Sequence, residues 1–407
     1  MNFKGYKCGF CGREFSPDEI RYRCDLCDEP LSIVYEYLSL EKKTTVERFA
    51  ARRLGLWKYR ELLPVLPSIQ PVSLGESATP LHEAKTLAGS IGLSNVFLKN
   101  EGRHPTGSFK DRGTSVGVTV AVERGVKAVG TLSHGNMGTS TAAYAAKAGL
   151  KCYILAPTNI IRTRLLYLSV YGAKIILVEG EYDAVYNESL KIGMKHDVFF
   201  INSDNPFRTE GSKTMAFEIV EDLGWEAPDW VVAPASSGGM VSGLYKGFLD
   251  FKEIGIISEI PKIAVIQPLD SKPIVTAFEK KVETIERVSH DFISIVRSLG
   301  NPYPPSGNRV LKLLRELKGT AIAVSDEETS AAQSEMARME GVFAEPAGAI
   351  ALAGLKHLVK LHRIEKDEKV VLIVSGFGFR DPGDAANFVD KPLTVDINNI
   401  ESEITRK

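Results

Sequence analysis

Residues 102–113 read GRHPTGSFKDRG, and the rest of the chain is ordered around this stretch. A short apolar run at 95–98 leads in, and an amphipathic run at 114–123 leads out. Pro105 and Gly107 make the approach a tight turn, and the residues after Ser108 fit the first turn of a helix. Lys110 falls in that turn. Backbone N–H groups and the positive end of the helix dipole there favour a neutral amine, the form a Schiff-base lysine needs. A lone SFK is more often a surface lysine at a helix start; loops far along the chain, at strand ends, decide between the two.

The chain has 407 residues, of which 44% are hydrophobic and 25% charged, with a net charge of −1. That length implies two or three domains of ordinary globular composition. A balance this close to neutral gives no electrostatic reason to bind nucleic acid or a membrane surface. No apolar stretch is long enough to span a bilayer, and the first residues show no signal-peptide pattern, so a cytoplasmic protein is expected. Cys8 and Cys11 form one CxxC, and Cys24 and Cys27 form a second, twelve residues on. This spacing predicts a small zinc ribbon over 1–38 with four thiolates around a structural Zn²⁺; a segment so short would draw its stability from the metal. Disulfides or free thiols are the alternative, and disulfides are disfavoured in a reducing compartment. Cys152 lies alone in an apolar run and reads as core. Residues 39–75, a charged helix followed by the Pro-rich run LLPVLPSIQP, read as a helical connector.

Beyond residue 80, short apolar runs alternate with helical patterns. Strands are expected at 96–98, 128–132, 152–156, 174–178, 198–201, 230–233, 263–267, 321–324 and 370–374, and helices at 139–148, 210–223 and 346–361 among others. Several of the strands are continuous Val/Ile/Leu runs, the mark of burial on both faces. The expectation is an α/β architecture of two open, mostly parallel twisted sheets flanked by helices, with the ribbon attached. In such folds ligands sit where loops leave the carboxyl ends of strands. Three such loops stand out. SHGNMG at 133–138 offers Asn136 between glycines that let the backbone approach a ligand. PASSGGMVSG at 234–243 is a small-residue turn opening a helix, suited to an anion; it lacks the GK[ST] ending of a P-loop and no GxGxxG is present. SGFGFRDPG at 375–383 places the Ser375 hydroxyl at a strand end. A helix cap or an ordinary turn is the competing reading of each loop alone; together with Lys110 they form a set.

With these residues in view, the chain resembles the threonine synthases, pyridoxal-phosphate enzymes of the tryptophan-synthase-β-like fold. The resemblance runs from the ribbon to about residue 382. It is carried by VSLGESATPL at 72–81, LKNEGRHPTGSFKDRG at 98–113, NSDNPFRTEGSKTMAFEI at 202–219 and GVFAEPAGAIALAGL at 341–355. It implies a larger cofactor-binding domain from 76–105 and 204–395, a smaller mobile domain from 106–203, and a tail at 396–407. It implies pyridoxal 5'-phosphate as cofactor, with Lys110 as the Schiff-base lysine and Phe109 beside it. Asn136 would contact the phenolic oxygen, the turn Ser236, Ser237, Gly238, Gly239 and Met240 the phosphate, and Ser375 the pyridine nitrogen. A neutral hydroxyl at that place would leave the nitrogen unprotonated. Lys99 and Arg208 would hold the phosphate of a small phosphorylated amino acid, with Ser133, His134 and Met137 near the rest of the substrate. A homodimer is a further expectation, since relatives of this fold are often dimers.

The implied reaction is O-phospho-L-homoserine plus water giving L-threonine plus phosphate. His134 and Met137 replace small hydroxyl residues usual in the family, SSGGM replaces GNGGN, and His104 replaces an asparagine. These departures keep open a second lyase or β-replacement reading, such as a serine/threonine dehydratase or a cysteate-synthase-like enzyme acting on O-phosphoserine. A non-catalytic binding or regulatory relative is the third reading, against which the intact lysine motif argues.

Overall fold

Trp230 to Pro234 and Lys369 to Val374 lie at the centre of the molecule, side by side and almost wholly buried. They are two of nine expected strands, all of which form within two residues of their expected limits. The computed structural model describes residues 3–41, 44–53, 55–133, 135–158, 160–288, 292–380, 383, 389, 392–397 and 400–405. In chain order the strands are β1 (Gly5–Cys8), β2 (Glu14–Phe15), β3 (Leu31–Val34), β4 (Leu81–Glu83), β5 (Asn95–Asn100), β6 (Ala128–Leu132), β7 (Lys151–Pro157), β8 (Lys174–Val178), β9 (Val198–Phe200), β10 (Trp230–Pro234), β11 (Lys262–Pro268), β12 (Thr320–Val324) and β13 (Lys369–Val374).

They assemble into three sheets. The ribbon is an antiparallel β2-β1-β3 sheet. The large sheet runs β12-β11-β10-β13-β5-β4 and is parallel except for β4, a short antiparallel edge that the alternation of the sequence did not announce. The small sheet, β8-β7-β6-β9, is parallel throughout. Strands covered by helices on both faces favour apolar side chains at nearly every position, which is why β10 and β13 are legible as Val/Ile/Leu-rich runs. β8 departs from that rule. It is an edge strand, and Ile176 and Leu177 remain 38% and 48% exposed. Among the described residues, no helix is long and apolar enough to cross a membrane.

Two helices differ from expectation at their ends. The helix expected at 139–148 begins at Asn136, which places that side chain on the first turn. The helix expected at 210–223 begins at Pro206, where the Asn205 side chain accepts from the Phe207 N–H at 2.9 Å and a proline occupies the first turn. Its ladder is interrupted at Lys213, dividing it into Pro206–Ser212 and Thr214–Asp222. Gly211 lies in the first piece, and a Cβ there would collide with the Arg112 carbonyl. The connector, with short helices at Tyr37–Glu41, Val46–Ala50 and Leu56–Leu62, straps the ribbon to the body. Phe49 and Tyr59 from this strap pack against Phe217 and Phe251 with ring centroids 5.1 to 6.2 Å apart.

Four segments meet around one buried guanidinium. Arg112, wholly buried, sits one turn into the helix Lys110–Glu123. It donates to both oxygens of Glu101 (2.6 and 2.8 Å) and both of Glu218 (2.9 and 2.7 Å). One N–H remains, and the Ser77, Thr214 and Thr79 hydroxyls crowd the terminal nitrogens at 3.0 to 3.1 Å. Glu101 follows β5, Glu218 lies on the helix Thr214–Asp222, and Thr79 precedes β4, so one side chain ties four segments. Burial would push both carboxyl groups up, but the charge of Arg112 outweighs it and holds both well below the usual glutamate range. A carboxylate depressed in the folded state contributes stability above its unfolded value, near 4.5, and loses it as pH falls further. Arg112→Leu, which strands two buried carboxylates, should cost about 3–5 kcal/mol by urea unfolding at pH 7. The same variant should lose the steep destabilisation of the parent below pH 4.5. A loss under 1 kcal/mol, with the acid limb unchanged, would mean that the network does not hold these segments together (surface pairs contribute about that much).

Candidate active site

Lys110 opens its helix, as the turn before it suggested. That turn is fixed by pairing with the end of the large sheet: Phe109 N–H donates to the Ser375 carbonyl at 3.1 Å, and Phe377 N–H to the Gly107 carbonyl at 2.9 Å. Ser375 leaves the C-terminal end of β13, so this pairing sets the lysine beside it. Gly107 has φ +79, a backbone shape that favours glycine. The lysine lines a cavity of about 120 Å³, room for several waters or one small organic group. Its ammonium nitrogen stands 4.2 Å from the centre of the Phe109 ring. Its pKa is pulled down to about 7, by burial first and by the charge of Arg208 second, with Glu345 opposing. The sequence pointed to the helix dipole for this effect; burial and a second cation produce it here. At neutral pH a large share of this amine is therefore unprotonated and nucleophilic.

Across the cavity is the small-residue turn. Ser236, Ser237, Gly238, Gly239 and Met240 all line it, between the end of β10 and the helix Gly239–Glu253. Gly238 takes φ +85. Glycine is required at both central positions: a Cβ on Gly238 would press on Ser306 and Val310, and one on Gly239 would meet the Ser203 carbonyl. Ser306 N–H donates to the Ser237 carbonyl at 2.9 Å and locks the turn from behind. Among the described residues no protein acceptor takes the N–H groups of Gly239, Met240 or Val241, which face a helix N-terminus as an anion site requires. The Ser203 hydroxyl, buried at the same cavity, also has no partner.

Asn136 and Ser375 line the cavity from the small and the large sheet. Between them is Glu345, a member of the motif GVFAEPAGAIALAGL to which the sequence assigned no role of its own. Asn136 Nδ2 donates to Glu345 Oε2 at 2.8 Å, and Ser375 Oγ donates to Glu345 Oε1 at 3.1 Å. A signal for it exists in the sequence. Glu345 occupies the N-cap of the helix Pro346–Lys360 without making a cap hydrogen bond, where a short Ser, Thr, Asp or Asn is preferred.

The remaining expected residues divide. Ser133 and Met137 line the cavity; Ser133 Oγ accepts from the Gly135 and Gly138 N–H groups (3.1 and 2.8 Å), which shapes the turn. Arg208 stands behind Lys110, donating to Thr114 Oγ1 at 2.8 Å and to the Lys110 carbonyl at 3.4 Å. It is buried, makes no ion pair among the described residues, and burial pulls its pKa down to about 10. His134 lies outside the described residues. Lys99 is a correction. It does not line the cavity; its ammonium is buried beside Arg112, donating to the Thr79 carbonyl (2.7 Å) and pairing with Asp222 (2.9 Å) and Glu218 (3.1 Å). With its charge consumed there, it has no hold on a substrate anion. His104, the other unusual residue of the lysine motif, is likewise structural, set 2.8 Å from Glu101.

In the ribbon, Cys8, Cys11, Cys24 and Cys27 gather their sulfurs within 4.8 Å of one another. The Cys8–Cys27 and Cys11–Cys24 Sγ separations are 3.6 and 3.7 Å. A tetrahedron with metal–sulfur bonds near 2.3 Å has edges of about 3.8 Å, so the cluster has the dimensions of a closed four-thiolate metal centre. It also touches the supports of the small-residue turn. Arg23 pairs with buried Asp204 at 2.9 Å, next to Ser203. Asn308 donates to Glu29 at 2.6 Å, and Lys312 donates to the Gly9 and Phe10 carbonyls at 3.3 and 3.2 Å, both from the helix that follows Ser306.

Comparison with known proteins bears on this geometry. Residues 72–376 match the family described as pyridoxal-phosphate dependent enzyme. The chain is 40% identical to a threonine synthase of Methanocaldococcus jannaschii over 392 residues, 96% of each chain. It is 38% identical to that of Methanosarcina acetivorans, again over 96% of each, and 38% identical to that of Mycobacterium tuberculosis over 83% of this chain and 92% of the relative. Among solved structures, maize serine racemase aligns with a TM-score of 0.62 at 23% identity, covering 80% of this chain and 91% of that one. Diaminopropionate ammonia lyase from Escherichia coli aligns at 0.65 and 19%, covering 77% and 89%. At those identities the structures speak for the fold.

The Lys110 environment can be read directly. In the cofactor-free protein, trapping of Lys110 by a small aldehyde and cyanoborohydride, followed by mass spectrometry, should rise with an apparent pKa near 7. In Arg208→Gln the midpoint should move up, toward the ordinary lysine value of 10.5, because one repelling charge is gone. A parent midpoint above 10 would contradict the site as drawn.

Proposed function

Because the chain belongs to the threonine synthase family of pyridoxal-phosphate-dependent enzymes, we propose that it converts O-phospho-L-homoserine and water to L-threonine and phosphate. The observation that carries this reading is the convergence on one cavity of a partly neutral lysine and, opposite it, an unpartnered anion-binding helix terminus. The residues fit pyridoxal phosphate on structural grounds: orphaned N–H groups at Gly239 to Val241, an orphaned Ser203 hydroxyl, and glycines where any Cβ would block the turn. Ser236 to Met240 would hold its phosphate, Asn136 and Ser375 its ring edge, and Phe109 would lie beside Lys110. When bound, the group supplies an electron sink that stabilises negative charge at carbons next to the substrate nitrogen.

The protein's own contribution is binding, orientation and proton movement. Lys110 would hold the cofactor through its amine, and its Nζ is placed to carry protons to and from the substrate's α, β and γ carbons. Arg208 places a buried charge next to that amine, with no ion pair among the described residues and Asp111 offsetting only part of its burial. A guanidinium so placed lowers its own desolvation cost when an anion arrives, and the phosphate of the substrate is such an anion. This retains Arg208 as the substrate-phosphate residue and drops Lys99. Closure of the 106–203 unit onto the large sheet, through Arg380 N–H groups on Thr106 and Thr139 and through Asn136 on Glu345, would exclude water from the reacting carbons. We assign a structural zinc ion to the four ribbon thiolates, with a cytoplasmic location.

The assay is direct. Purified protein loaded with cofactor should release phosphate and threonine in equal amounts from O-phosphohomoserine. Preference for O-phosphoserine, or formation of 2-oxobutyrate from threonine, would replace this reading with the β-replacement or dehydratase one. Arg208→Gln should raise KM for O-phosphohomoserine at least tenfold while cofactor loading is kept. Metal removal gives an independent check. Stripping the ribbon with a thiol-competing chelator should weaken cofactor binding severalfold in a fluorescence titration, and Arg23→Gln should do so in part with the metal in place. Unchanged cofactor affinity in both would separate the ribbon from the site.

A further inference from the structure

The proposed substrate carries two anionic groups, a phosphate and an α-carboxylate, and only the phosphate has a charged partner so far. The carboxylate is joined to the carbon that bears the reacting amine, so it must lie in the cavity that Lys110 lines. The loop at 133–138 borders that place, and none of its described residues is a cation. Ser133 Oγ already takes the Gly135 and Gly138 N–H groups, and the Met137 side chain has no polar hydrogen to give. Glu345 makes the need for a cation sharper. It lines the same cavity and, when ionised, repels a second carboxylate.

Two arginines line this cavity, Arg164 and Arg297. Arg297 is exposed, whereas Arg164 is half-buried and seated on the loop itself. Arg164 belongs to the helix Arg162–Ser169, which packs against the helix Asn136–Ala148. A Cβ on Gly135 would come 3.5 Å from Arg164 Cδ and 3.6 Å from one of its terminal nitrogens. The guanidinium therefore lies across the open face of that glycine. Burial pushes the Glu345 carboxyl up, and Arg164 is among the charges that pull it back. One side chain thus bears on both the loop and the carboxyl group that would repel a substrate anion. Beneath it, among the described residues, no protein acceptor takes the N–H groups of Asn136 and Met137 at the start of their helix.

We propose that Arg164 is a specificity-determining residue that binds the α-carboxylate of the substrate across Gly135. The inference rests on the reading above, in which an amino acid reacts at Lys110. A guanidinium offers two parallel N–H donors that match the two oxygens of a carboxylate. Arg208 stands elsewhere, behind Lys110 on its backbone carbonyl. The two arginines divide the substrate between them, the carboxylate going to Arg164 and the phosphate to Arg208.

The test separates the two anions with ligands of the cofactor-loaded protein that each lack one of them. L-2-Aminobutyrate keeps the amine and the carboxylate; 3-aminopropyl phosphate keeps the amine and the phosphate. Affinities are read from the change in cofactor absorption and by calorimetry. In Arg164→Gln, affinity for L-2-aminobutyrate should fall by about tenfold or more, while that for 3-aminopropyl phosphate stays within about twofold of the parent. Arg164→Lys keeps the charge and loses the fork, so it should lie between the parent and R164Q for L-2-aminobutyrate. An equal loss for both ligands would make Arg164 a structural part, and a loss confined to 3-aminopropyl phosphate would assign it to the phosphate. Either result overturns the inference, as does unchanged binding of both, and all three leave the proposed reaction standing. A parent that releases no phosphate from O-phosphohomoserine, while R164Q still discriminates between the two ligands as expected, overturns the reaction and not the role of Arg164. If R164Q does not fold, R164K decides: no weakening of L-2-aminobutyrate relative to 3-aminopropyl phosphate excludes the contact.

Discussion

The Arg112 guanidinium is the interaction on which the site's geometry depends. It is fully buried and its donors are satisfied by Glu101, Glu218 and three hydroxyls. Such a cluster is costly to bury and specific once made, because removal of one member leaves the others charged and dry. Arg112 is two residues from Lys110 on the same helix. The turn that carries the lysine is therefore held against β5 and the helix Thr214–Asp222 by charge, while its backbone is paired to the strand end at Ser375. Position of the reactive amine is fixed from two directions.

This recasts what the sequence motifs are for. Of the charged residues in LKNEGRHPTGSFKDRG and NSDNPFRTEGSKTMAFEI, Lys110 lines the cavity, and Arg208 is packed behind it against Thr114 and the Lys110 carbonyl. Lys99, Glu101, Asp111, Arg112, Glu210, Lys213 and Glu218 are buried in internal networks. Asp111 takes the Thr106 N–H and hydroxyl at 2.8 and 2.6 Å and closes the turn before the lysine. Lys213 joins Glu210 and Asp250, and Tyr35 from the ribbon edge donates to Glu210 at 2.7 Å. Most of the motif chemistry builds the frame; a small part of it performs the reaction.

That division explains which parts could be read from sequence. Strand order was not legible, but strand existence was, because doubly covered strands such as β10 and β13 are apolar at nearly every position. The turn at Ser236–Met240 and the turn before Lys110 were legible since glycine and small residues at strand ends are local signals. Lys99 was misassigned because its partners, Thr79, Glu218 and Asp222, come from a strand edge and from a helix some 120 residues away, and no local pattern records them. Glu345 was missed for the same reason: its contacts to Asn136 and Ser375 span 209 and 30 residues. Its presence at a helix N-cap without a cap bond was the one local trace.

The central claim is that the amine at 110, kept partly neutral by burial and by Arg208, holds the cofactor opposite the Ser236–Met240 turn. Borohydride reduction of the loaded protein, followed by proteolysis and mass spectrometry, tests it most directly. A single pyridoxyl-phosphate adduct is expected, on the peptide containing Lys110. An adduct on any other lysine, with Lys110 recovered unmodified, would contradict it.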